Sequence, residues 1–119
     1  MRANEDALRE LMVAGLGGDA AAHAALLGVL VPLLRGFYRR RASGSDDDIE
    51  DLVQETLIAV HVRRATYDPG RAFTAWLFAI ARYKMIDHFR RGRRLRPIEG
   101  LEDVLVAEDF ESVSAARID

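Results

Sequence analysis

Arg82, Lys84, Arg90, Arg91, Arg93, Arg94 and Arg96 crowd one short stretch of this chain. A cationic run of this kind can track a polyanionic backbone, and its binding would weaken with salt. The alternative is compensation of one helix dipole plus solubility, but the run exceeds what a single helix end requires. Upstream, Tyr67 and Phe73 flank Asp68-Pro69-Gly70-Arg71. Aromatics beside arginine on a loop can stack on an unpaired base and grip its phosphates. Proline and glycine would set the loop shape in advance. Phe73 reads more readily as a core residue opening the next helix. Trp76 shares its stripe with Leu77 and Ile80, and either packs there or wedges against a duplex edge.

A second constellation lies on a segment beginning Asp46-Asp47-Asp48. At 100° per residue, Ile49, Leu52, Val53, Thr56, Leu57 and Val60 fall on one side, the expected core face. Asp51, Gln54, Glu55, Ile58 and Val62 fall on the other. Apolar residues beside carboxylates, pointing away from the core, suit a docking surface whose partner supplies basic and apolar groups. The alternative is that the preceding helix covers Ile58 and Val62 within the fold.

Catalytic patterns are missing. His23, His61 and His88 share no metal-ligand spacing, and no Gly-rich phosphate loop, nucleophile elbow or paired catalytic carboxylates occur. Asp87-His88 reads as a surface pair. The chain is therefore expected to be no enzyme, with no catalytic or metal-binding residue, no cofactor and no small-molecule substrate.

The net charge of −2 hides segregation. Residues 46–55 are acidic without a Lys or Arg, residues 82–96 are basic apart from Asp87, and the chain from Glu99 onward is acidic apart from Arg117. Opposed blocks point to separate partners, or to a tail that shields a basic surface. Ordinary solvated faces are the alternative for any single block. With 119 residues, half of them apolar, the chain is long enough for one cored domain and a tail. The absence of cysteine excludes disulfides and thiolate metal sites, and is compatible with a cytoplasmic location. The N-terminus lacks the apolar core of a signal peptide, and residues 29–34 are too few to span a bilayer.

Four helices must position these groups, and no strand is expected. Asn4 caps the first, which carries Leu8, Leu11 and Met12 to about Leu16, where Gly15, Gly17 and Gly18 end it. Asp19 caps the second, which runs to about Arg41. It carries a broad face of Leu26, Leu27, Leu30, Leu34, Phe37 and Tyr38, with a kink expected at Pro32. The third runs from the Asp46 cluster to about Arg63. The fourth, apolar nearly all round, starts near Phe73 and ends near Arg91. Pro97 marks a stop, and residues 98–119 form an acidic tail.

Asp51-Leu52-Val53-Gln54-Glu55-Thr56, the run from Phe73 to Arg82, and Ile86-Asp87-His88-Phe89-Arg90-Arg91 together resemble region 2 of the bacterial sigma-70 family, in its extracytoplasmic-function (ECF) group. The resemblance implies an all-α fold, a compact bundle of about four helices over residues 1–96. An acidic inter-domain linker would follow over residues 97–119. It implies a transcription initiation factor that binds core RNA polymerase and recognises and melts the promoter −10 element. Asp51, Gln54, Glu55 and Ile58 would meet the β′ clamp helices. Tyr67 and Arg71 would capture a base flipped from the non-template strand. Trp76, Arg82, Tyr83, Lys84, Arg90 and Arg91 would hold adjacent DNA.

Two departures stand out. Many family members carry Asn after Ile-Ala-Arg, where this chain has Tyr83. The family's second domain, a helix-turn-helix that reads the −35 element, is absent, which reads as truncation within the linker. The Ala81-Arg82-Tyr83-Lys84 pattern with Ile-Asp-His is similar to a proteobacterial branch controlled by membrane-embedded anti-sigma factors, so an anti-sigma partner is expected too. Two other readings remain. One is a sigma mimic that binds an anti-sigma factor without DNA, which needs neither the aromatic loop nor the arginine run. The other is a helical bundle assembling through Ile58 and Val62.

Overall fold

The structure, a computed structural model, describes residues 4–91 and the backbone of residues 96–97. Four helices follow in order: α1 (Glu5–Leu16), α2 (Ala20–Arg41), α3 (Asp46–Val62) and α4 (Phe73–Arg90), with a 3-10 turn at Arg64–Thr66 before α4. Each start has a local chemical cause. Asn4 accepts from the backbone N–H groups of Asp6 and Ala7, and Asp19 accepts from that of Ala22. Ser45 and Asp48 form a reciprocal capping box on α3. Asp46, Asp47 and Asp48 fill the first turn of α3, at the positive end of its dipole. Between α1 and α2, Gly18 takes φ 108°, a conformation that favours glycine. At Gly15 a Cβ would come within 3.1 Å of His23 Cβ, so a bare backbone lets the two helices approach there.

The core lies where the four helices meet. Leu8 and Met12 of α1, Leu26, Leu30, Leu34, Phe37 and Tyr38 of α2, and Ile49, Leu52, Val53 and Val60 of α3 are all buried. They pack on α4, which buries Phe73, Trp76, Leu77, Ala79, Ile80, Ala81, Met85 and Ile86. Helix α4 buries more of its residues than any other helix, in keeping with its all-round apolar sequence. One polar pin ties three helices inside this core. Tyr38 donates to the Ala81 carbonyl at 3.1 Å, and its hydroxyl lies 2.6 Å from Thr56 Oγ1. Burial pushes the Tyr38 phenol well above its usual range, keeping it a neutral donor.

Two local features differ from expectation. A two-residue antiparallel ladder joins Ala42–Ser43 (β1) to Arg96–Pro97 (β2), with Ala42 opposite Pro97. A strand this short carries no readable alternation. Pro97 therefore sits in the ladder, and α4 has already ended at Arg90. Helix α2 runs from Ala20 to Arg41 with Pro32 inside it, close to the expected bounds. By length and composition α2 is apolar enough to cross a membrane, more than residues 29–34 alone would suggest. Its Leu26, Leu30, Leu34, Phe37 and Tyr38 are nevertheless buried against neighbouring helices. The expected acidic tail lies outside the described residues.

Candidate functional site

The outer face of α3 is built as its periodicity predicts. Asp51 and Gln54 are exposed, Ile58 and Val62 are 62% and 70% exposed, and Glu55 is half-buried at the margin. Helix α2 does not cover Ile58 or Val62. An exposed isoleucine and valine one turn apart, beside Asp51 and Gln54, leave an apolar strip with an acidic flank. The acidic block around it divides by role. Asp46 pairs with Arg39 at 3.4 Å, Asp48 closes the capping box, and Glu50 meets Arg35 through two contacts, one of 2.9 Å. The Arg35 guanidinium hydrogen bond holds the Glu50 carboxyl below its usual range. Asp46 and Glu50 thus tie α3 to α2 and Asp48 caps α3, while Asp51 faces outward.

Glu55 has an inward duty. Its Oε1 lies 3.0 Å from Nε2 of His88 on α4. A carboxylate only accepts, so Nε2 carries the proton. His88 is 2% exposed, which corrects the reading of Asp87-His88 as a surface pair. Asp87 turns instead to Arg91 at 3.1 Å. A signal for this was present: His88 stands three residues after Met85 and seven after Ala81, on the buried stripe of α4. A polar side chain on such a stripe needs a partner.

The loop at residues 67–72 braces itself. Tyr67 donates from its hydroxyl to the Arg71 carbonyl at 2.8 Å. The Gly70 N–H donates to Asp68 Oδ1 at 2.8 Å, and the Arg71 N–H donates to the Asp68 carbonyl at 2.9 Å. A Cβ at Gly70 would stand 3.3 Å from Asp68 Oδ1. Tyr67 itself is 4% exposed, with its ring against Phe73 and Trp76 at 5.7 and 5.6 Å between centroids. The expectation of an open stacking ring at Tyr67 does not match this placement. Three aromatic rings prefer to bury one another, and the loop turns Tyr67 inward to complete the cluster. Trp76 is 7% exposed, with Nε1 donating to Thr66 Oγ1 at 3.1 Å, so its placement matches the packed alternative and not a ring held out against DNA. Arg71 is exposed and 3.6 Å from Asp68.

Sequence reasoning missed Glu5. Ala72, the residue before α4, has no side chain to cap it. Glu5 of α1 takes that place across 68 residues, accepting from the Phe73 N–H, the Thr74 N–H at 3.1 Å and the Thr74 hydroxyl at 2.7 Å. Burial raises the Glu5 pKa, but these hydrogen bonds outweigh it and hold the carboxyl below its usual range. The only local hint was the missing cap at Ala72.

Beyond the loop, the basic end of α4 shows Arg90 and Arg91 exposed and Arg82 and Lys84 half-buried. Tyr83 is 41% exposed. It shares a helix face with Arg90, seven residues on. Among the aromatic side chains expected to meet DNA, Tyr83 is the exposed one. Arg93 and Arg94 lie outside the described residues. The fold also brings together two histidines that seemed unrelated in sequence. His23 Nε2 and His61 Nδ1 are 3.0 Å apart, with Arg64 Nη1 3.3 Å from the His61 ring. Burial, His61 and Arg64 all depress the His23 pKa. Among the described residues no group of three or more potential metal ligands forms.

Residues 26–95 match the family model described as Sigma-70 region 2. The chain is 52% identical over 103 residues to the ECF RNA polymerase sigma factor SigF of Caulobacter vibrioides, covering 87% of this chain and 57% of that protein. It is 33% identical over 94 residues to the ECF RNA polymerase sigma factor RpoE of Cereibacter sphaeroides, covering 78% and 49%. It is 38% identical over 95 residues to the ECF RNA polymerase sigma factor SigL of Mycobacterium tuberculosis, covering 76% and 53%. The chain thus spans about half the length of the curated relatives it matches.

Proposed function

Because the chain belongs to the sigma-70 family through its region 2, we propose that it is the promoter-opening domain of an ECF transcription initiation factor. The domain binds core RNA polymerase and recognises and melts the −10 element. On this reading residues 1–96 are the domain and residues 97–119 its acidic linker. It acts in the cytoplasm, under an anti-sigma factor. The observation that carries the proposal is the outer face of α3, where Asp51, Gln54, Ile58 and Val62 are exposed opposite the core. That face docks on the β′ clamp helices, with Glu55 at its edge.

DNA melting then requires no bond chemistry. Polymerase supplies most of the affinity and brings α4 to the DNA. An unstacked base of the non-template strand is trapped beside the braced loop, which draws the melting equilibrium toward open DNA. Arg71 contacts the strand from the loop, while Tyr67 and Trp76 form the packed wall beneath it. Tyr83 and Arg90 present an aromatic ring and a cation on one face of α4. Arg82, Lys84 and Arg91 add phosphate contacts, whose contribution falls as salt rises.

The inward Tyr67 and Trp76 also fit a second reading, a sigma mimic that binds an anti-sigma factor and leaves DNA alone. The exposed Tyr83 and Arg90 favour the first, since a mimic needs neither. Pull-down of core RNA polymerase by the chain tests the proposal. Wild-type protein is expected to bind and Asp51→Arg to lose binding while keeping its helical circular dichroism. Retention of anti-sigma binding by a wild-type chain that ignores polymerase would support the mimic instead.

A further inference from the structure

The Glu55–His88 contact joins the proposed docking helix to the proposed DNA helix, and neither face explains it alone. His88 is 2% exposed, so no partner reaches its ring. Its Nε2 lies 3.0 Å from Glu55 Oε1. The Glu55 side chain is 30% exposed, enough to be met from outside. Glu55 follows Asp51 by four residues and precedes Ile58 by three, so all three share one side of α3. A glutamate on a helix surface ordinarily samples many rotamers and loses that freedom on binding. Here a buried donor on the neighbouring helix has already selected one orientation.

We propose that His88 is a positioning residue for polymerase binding: it touches no partner, and it holds the Glu55 carboxylate in the orientation that the docking face presents. The inference rests on the reading of α3 as the polymerase surface and adds a residue of α4 to it. It assigns a role to the polar member of an otherwise apolar stripe. A core histidine kept only for stability needs some hydrogen-bond partner; it does not need one on the rim of an interface. The contact also means that the orientation of Glu55 depends on where the end of α4 lies, three residues before Arg91.

The test is a double-mutant cycle on affinity for core RNA polymerase, using the whole chain, with the folded fraction of each variant checked by circular dichroism at the binding temperature. His88→Leu is expected to weaken binding about three- to tenfold, the scale of ordering one rotamer-rich side chain. In a Glu55→Ala background the same substitution is expected to change affinity little. His88→Gln, whose amide N–H can reach Glu55, is expected to restore most of the affinity. His88→Asn, which keeps polarity but is too short, is expected not to. The Gln–Asn pair decides the matter should His88→Leu fail to fold. An equal loss with and without Glu55 would mean that His88 acts through stability alone and would overturn the inference. Unchanged affinity in His88→Leu and His88→Asn, with Asp51→Arg still defective, would overturn it while leaving the docking face intact. A wild-type chain that ignores polymerase would overturn both.

Discussion

The outer face of α3 and the loop before α4 are built on opposite principles. The α3 face is a regular helix surface, so each side chain points where the 100° rotation sends it, and Asp51, Gln54, Ile58 and Val62 all reach solvent. The loop at residues 67–72 has no such rule. Its most suggestive residue, Tyr67, turns inward onto Phe73 and Trp76 and spends its hydroxyl on the Arg71 carbonyl. Sequence made both regions look like contact surfaces, the helix through its period and the loop through residue type. A helix carries its side-chain directions in its period, whereas a loop takes them from whatever it packs against. In the loop the aromatic ring shapes the platform; on the proposed function, exposed Arg71 of the loop and Tyr83 of α4 are the groups that would meet DNA.

The largest expected effect tests that structural role. Tyr67→Ala should cost about 3–5 kcal/mol of folding free energy, the usual scale for removing a buried large aromatic side chain, read by urea denaturation. A loss below about 1 kcal/mol would show that the ring is not part of the core and would return it to the contact surface. Next comes the α3 face. Asp51→Arg should cost about 2–4 kcal/mol in affinity for core polymerase, the range of an interface hot spot, with helicity unchanged. It is the cleaner probe, because Glu55→Arg also strips His88 of its partner; that second substitution should lower both affinity and melting temperature.

A smaller effect sharpens the contrast from the DNA side. Tyr83→Ala should weaken binding of a single-stranded −10 oligonucleotide by the polymerase complex by about 1–3 kcal/mol, the scale of one base–aromatic stack. Its stability should stay within about 0.5 kcal/mol of wild type. If Tyr67→Phe instead lowers oligonucleotide binding and Tyr83→Ala does not, the two tyrosines have been assigned the wrong way round. The smallest effect concerns pH. Glu5 and Glu50 both have carboxyls held below the ordinary value of 4.5. The stability each adds is therefore fully present above about pH 4.5 and is lost as pH falls through its lower folded value. Thermal melts of Glu5→Gln should show a shallower loss over that acid range than wild type. An identical slope would remove Glu5 as a cap of α4.

Much of the architecture was readable beforehand. Asn4, Asp19 and the Asp46–Asp48 cluster mark three helix starts, and the apolar stripes of α2 and α3 name the residues those two helices bury. The dense apolar composition of residues 73–81 marks α4 as the most buried helix. Other features had no local trace. The ladder between Ala42–Ser43 and Arg96–Pro97 joins residues too few to show a period. The Glu5 cap and the His23–His61 contact join groups 68 and 38 residues apart.

Sequence by itself determined the helical class, the order of the helices, the α3 outer face and the family, because short-range periodicity, capping chemistry and motif spacing are properties of neighbouring residues. Tertiary structure alone decided that Tyr67 faces inward, that Glu5 caps α4, and that Glu55 answers to His88. Each of those outcomes depends on a hydrogen-bond or packing partner on another element. Such a partner is selected only when the core closes and every buried polar group must find one.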